Sequence, residues 1–264
     1  MNKKQWEVFE YFRNEYKKNC IEWSKLAGEL RPLQIEAAQK DTPPYPLETS
    51  VVYNTQYDEI TPDDRISLIV VGDNPGKEEQ LLINNKYLVG QSGRIAEGFF
   101  RRNPEFKIDF RKNVVITNKT PVHTAKTTHL KFLKKNGSKE IADLLLVSQC
   151  KMAELTAGLH KGLLENRDNS DETNVSLWLV GYSELKEKGI FLDYKQVLKD
   201  AYIDLDKKSM IKEWSEVYVY QHFSMNRFLI DLKDSCGKTN VSFEELQRCL
   251  KELGWKHRKE IFGC

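Results

Sequence analysis

Leu68-Ile69-Val70-Val71-Gly72-Asp73-Asn74-Pro75-Gly76 is an unbroken apolar run that stops at a glycine-proline turn. The run is too short for a helix and too continuous for a sheet with one wet face, so it predicts a strand buried on both sides. Three other stretches share the design: Val114-Val115-Ile116 before Thr117-Asn118-Lys119-Thr120-Pro121, Val175-Ser176-Leu177-Trp178-Leu179-Val180 before Gly181-Tyr182-Ser183, and Val217-Tyr218-Val219-Tyr220 before Gln221-His222-Phe223-Ser224. Such strands belong to a parallel sheet. In open α/β sheets ligands bind beyond the carboxyl ends of the strands, so the polar residues that follow each run are expected to converge on one crevice.

The intervals supply crossover helices at 93–100 and 141–164, and a late helix at 242–253 with Ser242 as N-cap and Glu245 completing a capping box. Trp6, Phe9, Phe12, Tyr16, Cys20 and Trp23 recur at three- and four-residue steps. That spacing predicts an amphipathic helix whose aromatic face packs on the core. Thr42-Pro43-Pro44-Tyr45-Pro46 breaks helical structure and reads as a linker. Residues 1–60 therefore form an N-terminal helical extension packed on a core of residues 61–264.

With 40% hydrophobic, 11% aromatic and 30% charged residues in a 264-residue chain, a full core and a soluble protein are expected. No apolar stretch approaches the ~20 residues of a membrane helix, and the start, Met1-Asn2-Lys3-Lys4-Gln5-Trp6-Glu7, lacks a signal segment, so a cytoplasmic location is expected. Cys20, Cys150, Cys236, Cys249 and Cys264 form no C-x-x-C pair and read as buried free thiols, with neither a metal nor another cofactor implied. The net charge of +2 conceals a basic segment: between Arg94 and Lys139 twelve lysines and arginines face only Glu97, Glu105 and Asp109. Local charge of this kind suits a polyanion, although charge clusters also occur on ordinary solvated surfaces.

The turn from Gly72 to Gly76 can bring backbone amides close to a ligand. It is neither a P-loop, because Gly72 and Lys77 are one residue too close and Glu78 stands where a hydroxyl is needed, nor G-x-G-x-x-G. Taken in order, Gly72-Asp73-Asn74-Pro75-Gly76, Tyr87-Leu88-Val89-Gly90-Gln91-Ser92-Gly93, Thr117-Asn118 and His222-Phe223-Ser224 resemble the motif series of the uracil-DNA glycosylase superfamily. The resemblance spans about residues 66 to 228. It implies a three-layer α/β/α sandwich around a central four-stranded parallel sheet, in agreement with the four apolar runs.

It also implies a monofunctional DNA glycosylase that hydrolyses the bond between sugar and a flipped-out uracil or other modified pyrimidine, leaving an abasic site. Such a reaction needs a positioned water, a reader of the base edge and a donor for the departing anion. By resemblance Asn118 reads the base, and an amide suits that task because it offers both a donor and an acceptor. His222 donates to the base carbonyl where negative charge accumulates. The family His-Pro-Ser is here His222-Phe223-Ser224, so the following loop is free of the proline constraint. Asp73 matches the iron-sulfur branch, whereas Asn74 matches the mismatch-specific branch. Asn74 is favoured for orienting water and Asp73 for stabilising the cationic sugar, with helix capping as the structural alternative for Asp73. The paired cysteines of the iron-sulfur branch are absent.

Gly72, Leu88 and Tyr87 complete the implied base pocket. Leu88 stands where related enzymes carry a stacking phenylalanine, so Tyr87 or Phe223 would have to turn in to stack on the base. A base larger than uracil, such as a modified pyrimidine of foreign DNA read by His123, Lys126 or His129, also fits that change. Ser92, Arg94, Lys119, Ser224, Met225, Asn226 and Arg227 are the implied DNA contacts, Met225 to Arg227 resembling the segment that wedges into the stack. The expected partner is DNA, bound by a monomer. Two other classes stay open: a DNA-binding module of the same fold without cleavage, and a small-molecule nucleoside hydrolase, which the basic segment disfavours.

Overall fold

Burial on both faces selects β-branched and aromatic residues for the central strands, and the computed structural model, which describes residues 1–168, 174–237 and 241–264, contains them where the apolar runs predict. The strands are β1 (Leu68–Gly72), β2 (Val114–Asn118), β3 (Ser176–Val180), the two-residue β4 (Ile203–Asp204) and β5 (Ser209–Met210), and β6 (Val217–Tyr220). The main sheet has the order β2-β1-β3-β6 and every pairing is parallel, while β4 and β5 form a separate antiparallel ribbon. The helices are α1 (Lys3–Trp23), α2 (Ala27–Gln39), α3 (Gln91–Arg102), α4 (His129–Asn136), α5 (Lys139–Glu165), α6 (Leu192–Asp200), α7 (Arg227–Cys236) and α8 (Phe243–Phe262). Together they flank the sheet as an α/β/α sandwich.

Alternate residues of each strand serve the two faces. On one face Trp178 lies against Phe100 of α3 and Phe228 of α7, with ring centroids 5.6 and 6.0 Å apart. On that face α8 rides close to β6, because a Cβ on Gly254 would stand 2.6 Å from the Tyr220 ring and 2.8 Å from Tyr218. Gly254 therefore does not end the late helix. The helix continues nine residues beyond the predicted limit of 253, to Phe262, its interior glycine being needed for close packing rather than termination. Ser242 caps it by accepting from the Glu245 amide.

The helical extension is part of the main core. Phe9, Phe12, Tyr16, Cys20 and Trp23 of α1 are buried as their spacing predicts, and α1 packs on α5, where Gly162 leaves room for Val8. Segment 51–57 covers the open edge of β2: Val51 bridges to Val122, while Asn54 Nδ2 and the Tyr57 hydroxyl both donate to the Ile116 carbonyl, at 2.9 and 2.6 Å. An exposed strand edge is thereby removed. Ser138 caps α5, whereas α2, α4, α6 and α7 lie where no helix was predicted. The cysteines depart from a uniform buried reading: Cys20 and Cys249 are buried, Cys150 and Cys236 are half-buried and Cys264 is exposed. Among the described residues no helix is long and apolar enough to cross a membrane.

Two buried histidines, His123 and His160, lock their surroundings as neutral rings. His160 accepts from the Tyr202 hydroxyl at Nδ1 and donates to the Val175 carbonyl from Nε2, and burial lowers its pKa to about 4. The unfolded chain takes up this proton near pH 6.5, so the associated stability is complete above that pH and is lost as pH falls toward 4. The stability of the wild type is expected to fall by ~3 kcal/mol more than that of His160→Gln between pH 7 and pH 4, as read from urea unfolding at the two pH values. Parallel pH dependence in the two proteins would contradict this assignment.

Candidate functional site

The carboxyl ends of the strands open into a cavity of about 700 Å3. Asp73, Asn74 and Gly76 enter it after β1, Thr124 to Thr127 after β2, Gly181, Ser183 and Glu184 after β3, and Gln221, His222, Ser224, Met225 and Arg227 after β6, with Ser92 at the start of α3. The convergence expected of the polar segments is thus observed for Asp73, Asn74, Ser92, His222, Ser224, Met225 and Arg227.

Asp73 sits on a buried cation. Lys119 Nζ donates to Asp73 Oδ1 at 2.7 Å, to the Val180 carbonyl at 2.6 Å and to the Gly72 carbonyl at 3.3 Å, and its side chain is 0% exposed. Burial pushes the Lys119 ammonium below the usual lysine range, with Asp73 and then Glu184 opposing the shift. The expectation that Lys119 contacts DNA is corrected: all three hydrogens of its ammonium are directed at oxygens beneath the crevice. The Thr127 hydroxyl lies 3.5 Å from Asp73 Oδ2, the carboxylate oxygen that does not meet Lys119. Gly181 makes room for this arrangement, since it has φ +96° and a Cβ there would stand 2.2 Å from Asp73 Oδ1.

Asn74 turns its amide nitrogen inward, donating to Thr124 Oγ1 at 2.9 Å and to the Pro75 and Thr124 carbonyls at 3.2 and 3.3 Å. With Nδ2 engaged, Oδ1 is the amide atom left to accept from water. His222 is oriented by its own turn: the Ser224 amide donates to Nδ1 at 3.1 Å and the Ser224 hydroxyl lies 2.8 Å from the same atom. An accepting Nδ1 places the proton of the neutral ring on Nε2, making that atom a donor. Burial lowers the His222 pKa, Asp73 opposes that shift and Lys119 reinforces it, so the ring is neutral at pH 7.

Asn118 does not line the cavity. It lies 2% exposed at the end of β2, its Oδ1 so close to Gly72 that a Cβ there would approach to 2.3 Å, and its Nδ2 is buried without a hydrogen-bond partner among the described residues. Gly72 accordingly makes room for the Asn118 amide. The implied stacking pocket is corrected. Tyr87 is fully buried, donating to the Val52 carbonyl at 2.5 Å and meeting the Tyr16 hydroxyl of α1. Phe223 is also buried, 5.1 Å from Phe228, and Leu88 is 4% exposed, so among the described residues no Phe, Tyr or Trp ring lines the cavity.

Leu88 instead serves the backbone of the rim. It has φ +51°, its amide donates to Glu79 Oε1 at 2.7 Å, and its carbonyl accepts from Arg111 at 2.5 Å. A Cβ on Gly93 would fall 1.4 Å from that carbonyl, so this rim and α3 fit only with glycine there. Burial raises Glu79 to about 7 against the pull of the Gly76 and Leu88 amides and Arg111. Arg94 and Asn226 are exposed outside the cavity wall. Of the three residues suggested for the mouth, only Lys126 lines the cavity; His123 is enclosed between Pro75 and Tyr45, and His129 pairs with Asp41.

Glu184, Thr127 and the ion pair escaped the sequence reading. The β3 turn Gly181-Tyr182-Ser183 was visible, but Glu184 lies one residue beyond it. Comparison with protein-family models, with curated proteins and with solved structures produces no match.

Removing one member of the buried pair leaves the other uncompensated. Asp73→Asn and Lys119→Met are each expected to cost roughly 3–5 kcal/mol, whereas the double variant recovers part of that loss. Urea unfolding of the four proteins measures the coupling, and additive losses would show that the pair is not a unit.

Proposed function

We propose that the protein is a monofunctional DNA glycosylase that removes a flipped-out pyrimidine, acting in the cytoplasm as a monomer without metal or other cofactor. The observation that carries this reading is the placement of His222, whose Nδ1 accepts from the Ser224 amide, in the same crevice as Asp73 and Asn74. Cleavage of an N-glycosidic bond develops positive charge on the sugar and negative charge on the base. A carboxylate and a neutral donor in one cavity match those two charges.

In this reading Asp73 Oδ2 stabilises the sugar cation, while Lys119 holds the other oxygen and fixes the carboxylate orientation. Asn74 Oδ1 accepts from the attacking water. His222 Nε2–H donates to the base carbonyl, and burial, which lowers its pKa, favours the neutral ring as a hydrogen-bond donor over a proton source. Asn118 lies behind Gly72 outside the cavity wall, and in this reading its Nδ2, unpaired among the described residues, reads the base edge by turning into the crevice. Arg227 and Lys126 at the wall, with Ser92 and Ser224, are suited to backbone phosphates. The ordered motif resemblance supports the same assignment.

The absence of a Phe, Tyr or Trp ring from the wall among the described residues favours a second reading, a DNA-binding module of the same fold that cleaves nothing. Labelled single- and double-stranded oligonucleotides containing uracil or modified pyrimidines separate the two. Release of base, detected as alkali-labile sites, is expected, with His222→Ala and Asn118→Ala each slowing single-turnover release on the order of 10²–10³-fold. Retardation of abasic DNA with no base released from any substrate would replace the glycosylase by the binding module.

A further inference from the structure

Glu184 has no task in the chemistry above, yet it lines the cavity. Its Oε2 is buried without a hydrogen-bond partner among the described residues. A buried acceptor left unpaired is costly, and a ligand N–H or O–H relieves that cost once the half-buried carboxylate turns Oε2 toward the cavity that Glu184 lines. Lys119 does not relieve it: the ammonium already donates to Asp73, Val180 and Gly72, so it attracts Glu184 only through space.

The position of Glu184 is also constrained. Its amide donates to the Gly181 carbonyl at 3.0 Å, and its carbonyl accepts from the Phe191 amide at 3.2 Å. A Cβ on Gly189 would fall 2.0 Å from that same carbonyl, so the loop returns against Glu184 with no space to spare. The Phe191 ring in turn lies 5.1 Å from Lys119 Nζ. The backbone bearing the carboxylate is therefore tied to the floor of the crevice.

We propose that Glu184 selects the base, and that the crevice prefers a pyrimidine bearing an exocyclic N–H or O–H donor, an amino or hydroxymethyl group, over uracil. This rests on the glycosylase reading of the crevice. A carboxylate only accepts hydrogen bonds. Uracil presents one ring N–H between two carbonyl oxygens, and a carbonyl against Glu184 meets like partial charge, whereas an amino or hydroxymethyl group supplies the missing donor. With no Phe, Tyr or Trp ring in the wall among the described residues, polar complementarity carries the discrimination. The 700 Å3 cavity has room for the substituent.

The test uses the full chain as wild type, Glu184→Ala and Glu184→Gln, with 1-methylcytosine, 1-methyl-5-hydroxymethyluracil and 1-methyluracil as probes, the methyl standing for the sugar so that N1 carries no hydrogen, titrated while the glutamate side-chain carboxyl resonances are followed by NMR. The two donor-bearing bases are expected to bind the wild type roughly tenfold more tightly than uracil, with the ratio falling to about one in Glu184→Ala. Glu184→Gln, which supplies an amide donor, is expected to move the preference toward uracil. Equal or tighter binding of uracil by the wild type, a ratio unchanged in Glu184→Ala, or no binding of any of the three bases at millimolar concentration would overturn the proposal. Release from oligonucleotides carrying the same bases is a separate readout. Selection through Glu184 without any release would leave this inference standing and remove the glycosylase reading.

Discussion

The buried Lys119–Asp73 pair is the constraint around which the carboxyl end of the sheet is organised. Lys119 follows β2, accepts no solvent contact, and reaches under the crevice to the end of β1 at Gly72 and Asp73 and to the end of β3 at Val180. Taking an ammonium and a carboxylate out of water is costly unless every charge finds a close partner. Here the ammonium has three oxygens around it, which fixes the relative heights of three neighbouring strand ends. Gly181 is a direct consequence, because any larger residue would collide with Asp73. A surface lysine could be exchanged with little effect, but this one is part of the core.

The strands and the first helix were legible because burial on two faces and burial on one helical stripe both leave periodic traces in the sequence. The helices α2 and α7 left weaker traces. α2 buries Gln34 and two alanines beside Leu30, and Gln34 is accommodated only because its amide donates to the Ser50 and His123 carbonyls. α7 buries only Phe228 and Leu232 and follows the left-handed pair Met225 and Asn226. Gly254, one residue past the predicted end of the late helix, lies inside it and permits a close crossing, which depends on Tyr220, 34 positions earlier in the chain.

The same limitation divides the site residues. His222 is oriented by Ser224 two positions away, so its orientation is set by its own turn. Tyr87 and Lys119 look from their neighbours like ligand-facing groups, but the partners that turn them inward, Tyr16 and Asp73, are 71 and 46 positions away. No local spacing rule reports such pairings. Asn118 is intermediate: its place at the end of β2 was evident, whereas its lodging behind Gly72 depends on the register of two parallel strands.

The two lips of the crevice differ in how they are held. On one side Glu79, Arg111 and Gly93 clamp the Leu88 backbone to α3, so that lip and helix form a single body. On the other, the Phe228 amide donates to the His222 carbonyl and closes a small tongue, with Phe223 and Phe228 as its buried roots. At its tip Met225 and Asn226 occupy consecutive left-handed conformations, and Met225 is 71% exposed. Adaptation to an incoming molecule is therefore one-sided: the clamped lip acts as a fixed gauge for position, and the tip of the tongue, free of side-chain anchors, is the part that conforms.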